Sequence, residues 1–308
     1  MRAGWTAGVT RARLLRTRAI GAEHARAIAR SPSLEAGIGV LAGSAYGERV
    51  HAGSGPVRAE RAVAETLLWH LRILAGWLPA PGAGLVRTLA GWFELVNIDA
   101  RLAAFAGDGR EPEPFVLGGL ATAWAQIDQA RTIEEMAQAI AASAWGRIEA
   151  GTPGELTLGL RISWARRVEE AAPEAADWVA GAAALLLARE LLVAGSRERT
   201  AQLRRLPAAS DRALAAGSLD ELRAVLPARA SWALHGVDDP AELWRAELGW
   251  SVRVERDALA LLRTNSDEAV VLASVTLLGI DAQRTARALR AAAHGADSEI
   301  TELIGGAA

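Results

Sequence analysis

A short layout of residues occurs three times in this 308-residue chain and limits what the chain can fold into. Each copy begins with a hydroxyl residue, continues with an aliphatic residue and an acid, and ends 13 or 14 positions later on an aromatic residue. The copies run from Ser33 to Tyr46, from Thr132 to Trp145 and from Ser218 to Trp232. Ser or Thr before an apolar run is typical of an N-cap. In the second and third copies, Glu135 and Glu221 stand three residues after the cap, where a capping box needs an acid. The first copy has Ala36 at that position. The layout predicts three capped helices of about three turns each, closed by an aromatic anchor.

A second set of matching segments ends on glycines. Ala100 to Gly107 resembles Ala188 to Gly195, and Arg287 to Gly295 is a looser third member, each placing glycine at the C-cap of an apolar helix. The spacings are 99 and 86 residues for the N-caps and 88 for the Ala-Arg pairs. They predict three diverged helical lobes, at 1–114, 115–206 and 207–308, within one integrated unit. Chance matching in an alanine-rich chain is the alternative.

Helix-forming residues dominate nearly every window, and clear alternating strand patterns are absent. One apolar stripe follows helical spacing through Ile133, Met136, Ile140, Ala144 and Ile148. The run from Ala269 to Ala273 fits a buried helix better than a strand. We therefore expect an all-α protein.

The residue types that are missing exclude several kinds of chemistry. The chain has no cysteine, which removes disulfides, thiolate metal sites, iron–sulfur clusters and cysteine nucleophiles. All 34 basic residues are arginine, and the net charge of -2 gives no overall basic field for nucleic acid. The first 30 residues nevertheless carry seven arginines against one glutamate. This basic segment is either a solvated face or a contact for an acidic partner or anionic headgroups.

No stretch of the sequence predicts a membrane span or a signal peptide. No stretch without charge is longer than that from Ile73 to Val86, which contains two prolines and three glycines and is shorter than the roughly 20 residues of a span. The N-terminus runs into arginines rather than into an apolar segment.

Four stretches together resemble a known family, the C subunit of archaeal and bacterial A/V-type rotary ATPases, called subunit d in the eukaryotic vacuolar enzyme. They are the arginine-bearing opening 11–18 with the Tyr-Gly helix end at 41–47, the aromatic-acid-x-x-Asn helix 92–101, the Trp-Gly unit 136–148 and the C-terminal helix pair 269–295. The likeness spans the whole chain through short motifs. It departs from the family at Ala182 to Leu185, where the pattern would place Asp and Asn, and at Asp281, where Glu is commoner.

The resemblance implies a diverged bacterial member of this family, with three helical lobes packed into a funnel. Such a protein lies on the cytoplasmic face of the membrane rotor ring and receives the foot of the central stalk. Its implied partners are the central stalk subunits and the membrane proteolipid ring, and its part in ATP-linked proton or cation transport is mechanical. The resemblance implies no catalytic residue, no cofactor, no metal, no small-molecule substrate and no direct membrane span. Which residues bind the partners stays unknown at this stage.

Two other functions compete with this interpretation. A helical-repeat adaptor of an unrelated complex would share the same composition. An isoprenoid-type magnesium enzyme is suggested by Asp238, Asp239 and Glu242, which fit an acid-acid-x-x-acid pattern. Pro240 argues against it, because proline belongs at the first helical position. We interpret Asp239 as an N-cap, Pro240 as N1 and Glu242 as N3.

Other polar residues give weaker signals. The five histidines, 24, 51, 70, 235 and 294, have no metal-binding spacing. The glycines at 118–119 and 151–154 lack the lysine of a phosphate loop, and no Gly-x-Ser-x-Gly elbow is present. Asn97 among apolar neighbours predicts a hydrogen bond between helices.

The eleven tryptophans are the aromatic excess of the chain, against three Phe and one Tyr. Core packing is expected for about two thirds of them, with the rest available for protein recognition. Trp145 and Trp232 recur at one repeat position, which predicts that they anchor their lobes.

Overall fold

A computed structural model describes residues 3–107, 112–195 and 199–295, and every regular element in these ranges is helical, with no strand. The predicted all-α class is confirmed. The α-helices in chain order are α1 Ala3–Leu15, α2 Gly21–Ala29, α3 Leu34–Leu41, α4 Pro56–Gly76, α5 Ala80–Phe105, α6 Trp124–Ile127, α7 Ile133–Ala141, α8 Pro153–Ala171, α9 Ala176–Ala188, α10 Thr200–Leu203, α11 Asp211–Ala215, α12 Leu219–Val225, α13 Ala228–Ser231, α14 Leu243–Leu261 and α15 Asp267–His294. A π-helical turn, Arg189–Val193, continues α9, and short 3₁₀ turns lie at Arg16–Arg18, Gly118–Leu120, Pro173–Ala175, Trp232–Leu234 and Pro240–Glu242.

The chain divides into two compact units, one from Met1–Val86 and Ser251–Ala308 and the other from Arg87–Trp250. The boundaries differ from the three predicted lobes 1–114, 115–206 and 207–308, which stay a prediction.

In the first unit, α15 packs against α1, α2, α3 and α4. Its N-terminal half contains the run from Ala269 to Ala273, which is buried as predicted. Its C-terminal half contributes Leu289 to a core cluster with Ile28, Leu41 and Tyr46. This helix therefore holds the small helices that contain the first copy of the repeat.

Helix α15 is also the one helix in the described ranges that is long and apolar enough to span a bilayer. Within that apolar stretch, 78% of the residues are buried inside the protein. A core helix has this property.

In the second unit, the other two copies of the repeat lie in separate core clusters. Ile98 of α5 packs in one cluster with Met136 and Ile140 of α7. The other cluster joins Leu187 of α9 to Leu222 of α12. Each copy thus buries its apolar side together with a longer helix from another part of the sequence.

The predicted N-caps are confirmed in all three copies. Ser33, Thr132 and Ser218 each accept a hydrogen bond from the backbone N–H three residues later, at 3.2 Å. In the predicted capping boxes the glutamate would accept from the N–H of the N-cap residue itself. Instead, Glu135 accepts from the N–H of Arg131 and Glu221 from that of Gly217, one residue before each N-cap. The acids therefore stabilise the chain entering the helix.

One complete capping box lies at the glycine-containing segment 151–154, which was considered above only as a phosphate loop. Thr152 accepts from the N–H of Glu155, and the carboxylate of Glu155 accepts from the N–H groups of Thr152 and Gly151. Pro153 occupies the first helical position of α8. The spacing Thr-x-x-Glu was the available signal.

The repeated helices are shorter than predicted, with about two turns each. In the second copy, α7 ends at Ala141 and Ala144 is exposed, so the predicted apolar stripe is wrong beyond Ile140. The cause is Ser143, whose Oγ accepts from the N–H of Trp145 at 3.1 Å and turns the chain out of the helix. Ile148 packs as a partly buried residue of the following loop.

The first copy ends with the same turn. Ser44 Oγ accepts from the N–H of Tyr46 at 3.2 Å, and the carbonyls of Ser44 and Ser143 each accept from the N–H of the glycine three residues later. Tyr46 and Trp145 are both 3% exposed, so the predicted anchoring role is confirmed for Trp145. Trp232, in the third copy, starts a 3₁₀ turn instead and packs on its core cluster as a partly buried side chain.

The predicted helix-ending glycines are also confirmed. Gly107, Gly195 and Gly295 have φ of +82°, +62° and +71°, in the left-handed region that favours glycine.

Candidate functional site

A buried carboxylate organises the first unit. Asp281 of α15 accepts hydrogen bonds from the N–H groups of Ile20 at 3.1 Å and Gly21 at 2.8 Å, at the start of α2. The hydroxyl of Tyr46 donates a third bond to it at 2.9 Å. One side chain thus fixes the start of α2 and the end of the first repeat copy.

Burial dominates the electrostatics of this pair. It raises the pKa of Asp281, while the three donated bonds and Arg284 act in the opposite direction. It also raises the pKa of Tyr46 well above its ordinary value, and the neighbouring Asp281 adds to that rise. The phenol is therefore held as a donor.

The second unit contains a matching carboxylate, Glu94 of α5. It is 1% exposed and accepts from the N–H groups of Thr122 and Ala123, both at 2.6 Å, at the start of α6. Glu94 and Asp281 therefore bind the same structural element, the helix that precedes a hydroxyl-capped repeat helix. The stretch from Ala182 to Leu185 in α9 offers no carboxylate for a third such contact.

Asn97 lies one turn after Glu94 and is hydrogen-bonded, but its partner is Phe115, which lies outside the helices, rather than another helix as predicted. Its Nδ2 donates to the carbonyl of Phe115 at 3.0 Å, and its Oδ1 accepts from the N–H of Phe115 at 2.7 Å. Both polar ends of a buried amide are satisfied, which makes Asn97 a structural residue.

The acidic pattern considered for magnesium is used within the fold. Asp239 accepts from the N–H of Ala241 at 2.8 Å, with Pro240 at the first helical position, which confirms the N-cap. Asp238 pairs with Arg223 at 2.9 Å, and Glu242 faces Arg245 at 3.5 Å. In residues 3–107, 112–195 and 199–295, no group of three or more acidic or histidine side chains is placed to hold a metal.

The tryptophans separate into packed and exposed side chains. Trp145 and Trp178 are buried, and six others are partly buried, in line with the expected packing of most of them. Trp69, Trp77 and Trp92 have exposed fractions of 41%, 52% and 43%. Exposed indoles of this size are typical anchors of protein interfaces.

The sequence alone did not single out Trp69, Trp77 and Trp92 as exposed, although helix periodicity indicated it for Trp92. Glu94 and Ile98 face the core, and Trp92 lies on the opposite side of the same helix. Its ring centre lies 5.6 Å from that of Trp164, and 43% of the Trp92 side chain stays exposed.

In the first unit, arginines accompany the exposed tryptophans. The guanidinium of Arg11 lies 5.8 Å from the ring centre of Trp77. Arg13, Arg16 and Arg18 follow at the end of α1 and in the next turn, beside the exposed Leu14. None of these four arginines has an ion-pair partner among the described residues, which leaves a basic surface with apolar side chains in it.

Scans against models of known protein families and against curated proteins find no match for this sequence.

Proposed function

We propose that this chain is a non-catalytic socket subunit of an A/V-type rotary ATPase. It would join the central stalk to the membrane proteolipid ring at the cytoplasmic face, and so take part in ATP-linked proton or cation transport. The proposal begins from the resemblance of the four stretches and is supported by their contacts.

The supporting observation is a repeated design for holding short helices. In each case a buried carboxylate on a long helix accepts hydrogen bonds from the start of a short helix. The next helix is the repeat helix, which begins at a Ser or Thr N-cap. The repeat helix is followed by a serine turn that ends in a buried aromatic residue. Asp281 with Tyr46 and Glu94 with Trp145 show the design twice. The two carboxylates and the serine turns with their aromatic residues come from the stretches that carry the likeness, whereas the capped helix starts lie outside them.

We further propose that three lobes of this kind assemble into the funnel that the resemblance implies. The third copy supports the idea through its capped helix α12 and its core cluster with α9. A coupling part needs rigid helices and fixed surfaces, and polar groups committed to caps serve that need.

The exposed tryptophans and the arginines of α1 and of the turn after it are the side chains we assign to partner binding. Trp69, Trp77 and Trp92 are large, and their exposed fractions leave area to bury against another protein. Trp and Arg are the residues that most often dominate interface energies.

The test is co-expression of the chain with the central stalk and proteolipid ring subunits of the ATPase from the same organism. We expect co-elution with the complex, and an affinity loss of about 30-fold or more in Trp92→Ala, the effect of a hot-spot truncation of about 2 kcal/mol. Leu259→Ala is the matched control, because Leu259 is an apolar side chain with nearly the same exposed fraction, 42%. The Leu259→Ala protein should bind as the unchanged chain does.

Failure of the unchanged protein to bind either the stalk or the ring would refute the proposal. The adaptor function would then be the better explanation of the same repeats.

A further inference from the structure

The segment that contains α1 differs in charge from the rest of the chain. The first 30 residues carry seven arginines against one glutamate, whereas the remaining 278 carry 27 arginines against 35 acids. No acid precedes Glu23, so arginine is the only charged residue type in α1 and in the 3₁₀ turn after it. One basic segment thus belongs to an otherwise acidic chain.

Close packing holds one side of α1 against the turn between α4 and α5. A Cβ added at Gly8 would lie 2.9 Å from the carbonyl oxygen of Trp77 and would overlap the side chain of Leu78. Ala12 and Leu15 are buried and lie on the same face of α1 as Gly8, four and seven residues later. The backbone of Trp77 is therefore in contact with α1, and the other sides of the helix are left for solvent or a partner.

Basic and apolar side chains alternate on one exposed flank of α1. Arg11, Leu14 and Arg18 follow at intervals of three and four residues, so they are neighbours along α1 and the 3₁₀ turn that continues it. Leu14 is 59% exposed. Trp77 is 52% exposed, and its ring centre lies 5.8 Å from the guanidinium carbon of Arg11. We call the following six side chains the α1 surface: Arg11, Arg13, Leu14, Arg16, Arg18 and Trp77.

The charge of the α1 surface is available to whatever approaches it. Arg13, Arg16 and Arg18 are exposed, and none of them has an ion-pair partner within the part of the chain that the structure describes. An acidic protein would match this charge alone. The boundary between headgroups and acyl chains of an anionic bilayer also matches the apolar side chains between the arginines, because leucine and indole enter that boundary while guanidinium groups stay among the phosphates.

We propose that the α1 surface binds the headgroup region of a bilayer that contains anionic lipid. Each arginine close to an anionic leaflet adds to the attraction, and Leu14 and Trp77 anchor the helix in the interface. The inference rests on the proposed function for one point, that the protein works at a membrane, and it names lipid as the partner of this surface.

The first experiment measures co-sedimentation of the full chain with phosphatidylcholine vesicles that contain or lack phosphatidylserine. We expect binding that requires phosphatidylserine and weakens as salt is added, because salt screens the attraction. The double variant Arg13→Gln/Arg18→Gln should bind at least about tenfold more weakly. Its charge-matched control is Arg131→Gln/Arg212→Gln, which changes two exposed arginines of the second unit and should bind as the unchanged chain does.

The second experiment tests the apolar part of the α1 surface in the same assay. Leu14→Asn should bind at least about fivefold more weakly, because the leucine no longer enters the interface. Leu259→Asn is the matched control, since Leu259 is another exposed leucine on a helix, with an exposed fraction of 42%. Circular dichroism of each variant separates loss of binding from loss of fold.

Three results would overturn the proposal. They are no binding to either kind of vesicle, equal binding to both kinds, and equal binding by Arg13→Gln/Arg18→Gln and its control. If the double variant instead weakens co-elution with an ATPase subunit while vesicles do not bind, the α1 surface belongs to a protein partner. The vesicle assay contains no ATPase subunit, so its failure and a failure of co-elution are distinguishable.

Discussion

Removing the hydroxyl of Tyr46 tests the central contact of the first unit. In Tyr46→Phe, Asp281 loses the 2.9 Å bond from the phenol and keeps only the two backbone donors. Both side chains are 3% exposed, so water cannot replace the lost donor. A hydrogen bond to a charged group contributes about 1.5–3 kcal/mol, and we expect the free energy of unfolding at pH 7 to fall by that amount.

The effect should depend on pH in a defined direction. The folded-state pKa of Asp281 is raised, so the folded protein holds this proton more tightly than the unfolded chain does. Stability from this group is therefore lost as pH rises from the unfolded-state value, about 3.9, through the folded-state pKa. Tyr46→Phe removes a bond that lowers this pKa, so the folded-state pKa of Asp281 rises further in the variant. The difference in the free energy of unfolding between the unchanged protein and the variant should therefore grow between pH 4 and pH 7.

The assay is equilibrium urea unfolding, followed by circular dichroism, of a double-mutant cycle with Asp281→Ala. That second variant leaves two backbone N–H groups unpaired and should lose about 3–5 kcal/mol. The double variant should be more stable than the sum of the two losses predicts, by about 1.5–3 kcal/mol. Glu268→Gln, an exposed acid on the same helix, is the control and should combine additively with Tyr46→Phe. Additivity in the Asp281 cycle, or a loss that does not change with pH, would refute the reasoning.

Three further substitutions test packing and capping. A Cβ at Gly181 would lie 2.6 Å from the ring of Trp232, so Gly181→Ala should lose about 1–3 kcal/mol, whereas Gly279→Ala, with open space at its helix, should gain up to about 1 kcal/mol. We expect the melting temperature to fall in Gly181→Ala and to rise in Gly279→Ala. A rise in both variants would contradict the close approach of Gly181 to Trp232. Thr152→Ala should lose about 1 kcal/mol because it removes the acceptor of a complete capping box, and an unchanged urea midpoint would show that the cap is not needed.

The sequence allowed prediction of what depends on neighbouring residues in the chain. Helical spacing and N-cap chemistry act over a few positions, and Ser33, Thr132 and Ser218 cap their helices as expected. The same holds for Gly295, because a left-handed residue after an apolar helix favours glycine. That Asn97 makes hydrogen bonds could also be predicted, since a buried amide must find partners.

Contacts between distant segments could not be predicted in this way. Nothing near Glu94 in the chain indicates that its carboxylate meets N–H groups 28 and 29 residues later. The end of α7 was missed for another reason, because the side chain of Ser143 competes with helix continuation while the apolar spacing continues. Exposure of Trp69 and Trp77 depends on which faces of α4 are covered by other helices.

The two carboxylate contacts can be compared directly, because one uses an aspartate and the other a glutamate. Asp281 is shorter than a glutamate, yet it binds both N–H groups at the start of α2, and its Oδ2, which accepts from Ile20, also accepts from the hydroxyl of Tyr46. In the other unit the aromatic residue is Trp145, whose Nε1 has no acceptor among the described residues. Arg167 lies 4.7 Å from the Trp145 ring centre, and burial lowers the pKa of its guanidinium while the charge of Glu94 opposes that shift. The third contact therefore differs between the two units, because Tyr46 donates directly to Asp281, whereas Glu94 accepts from its two backbone donors and Trp145 donates to no acceptor among the described residues.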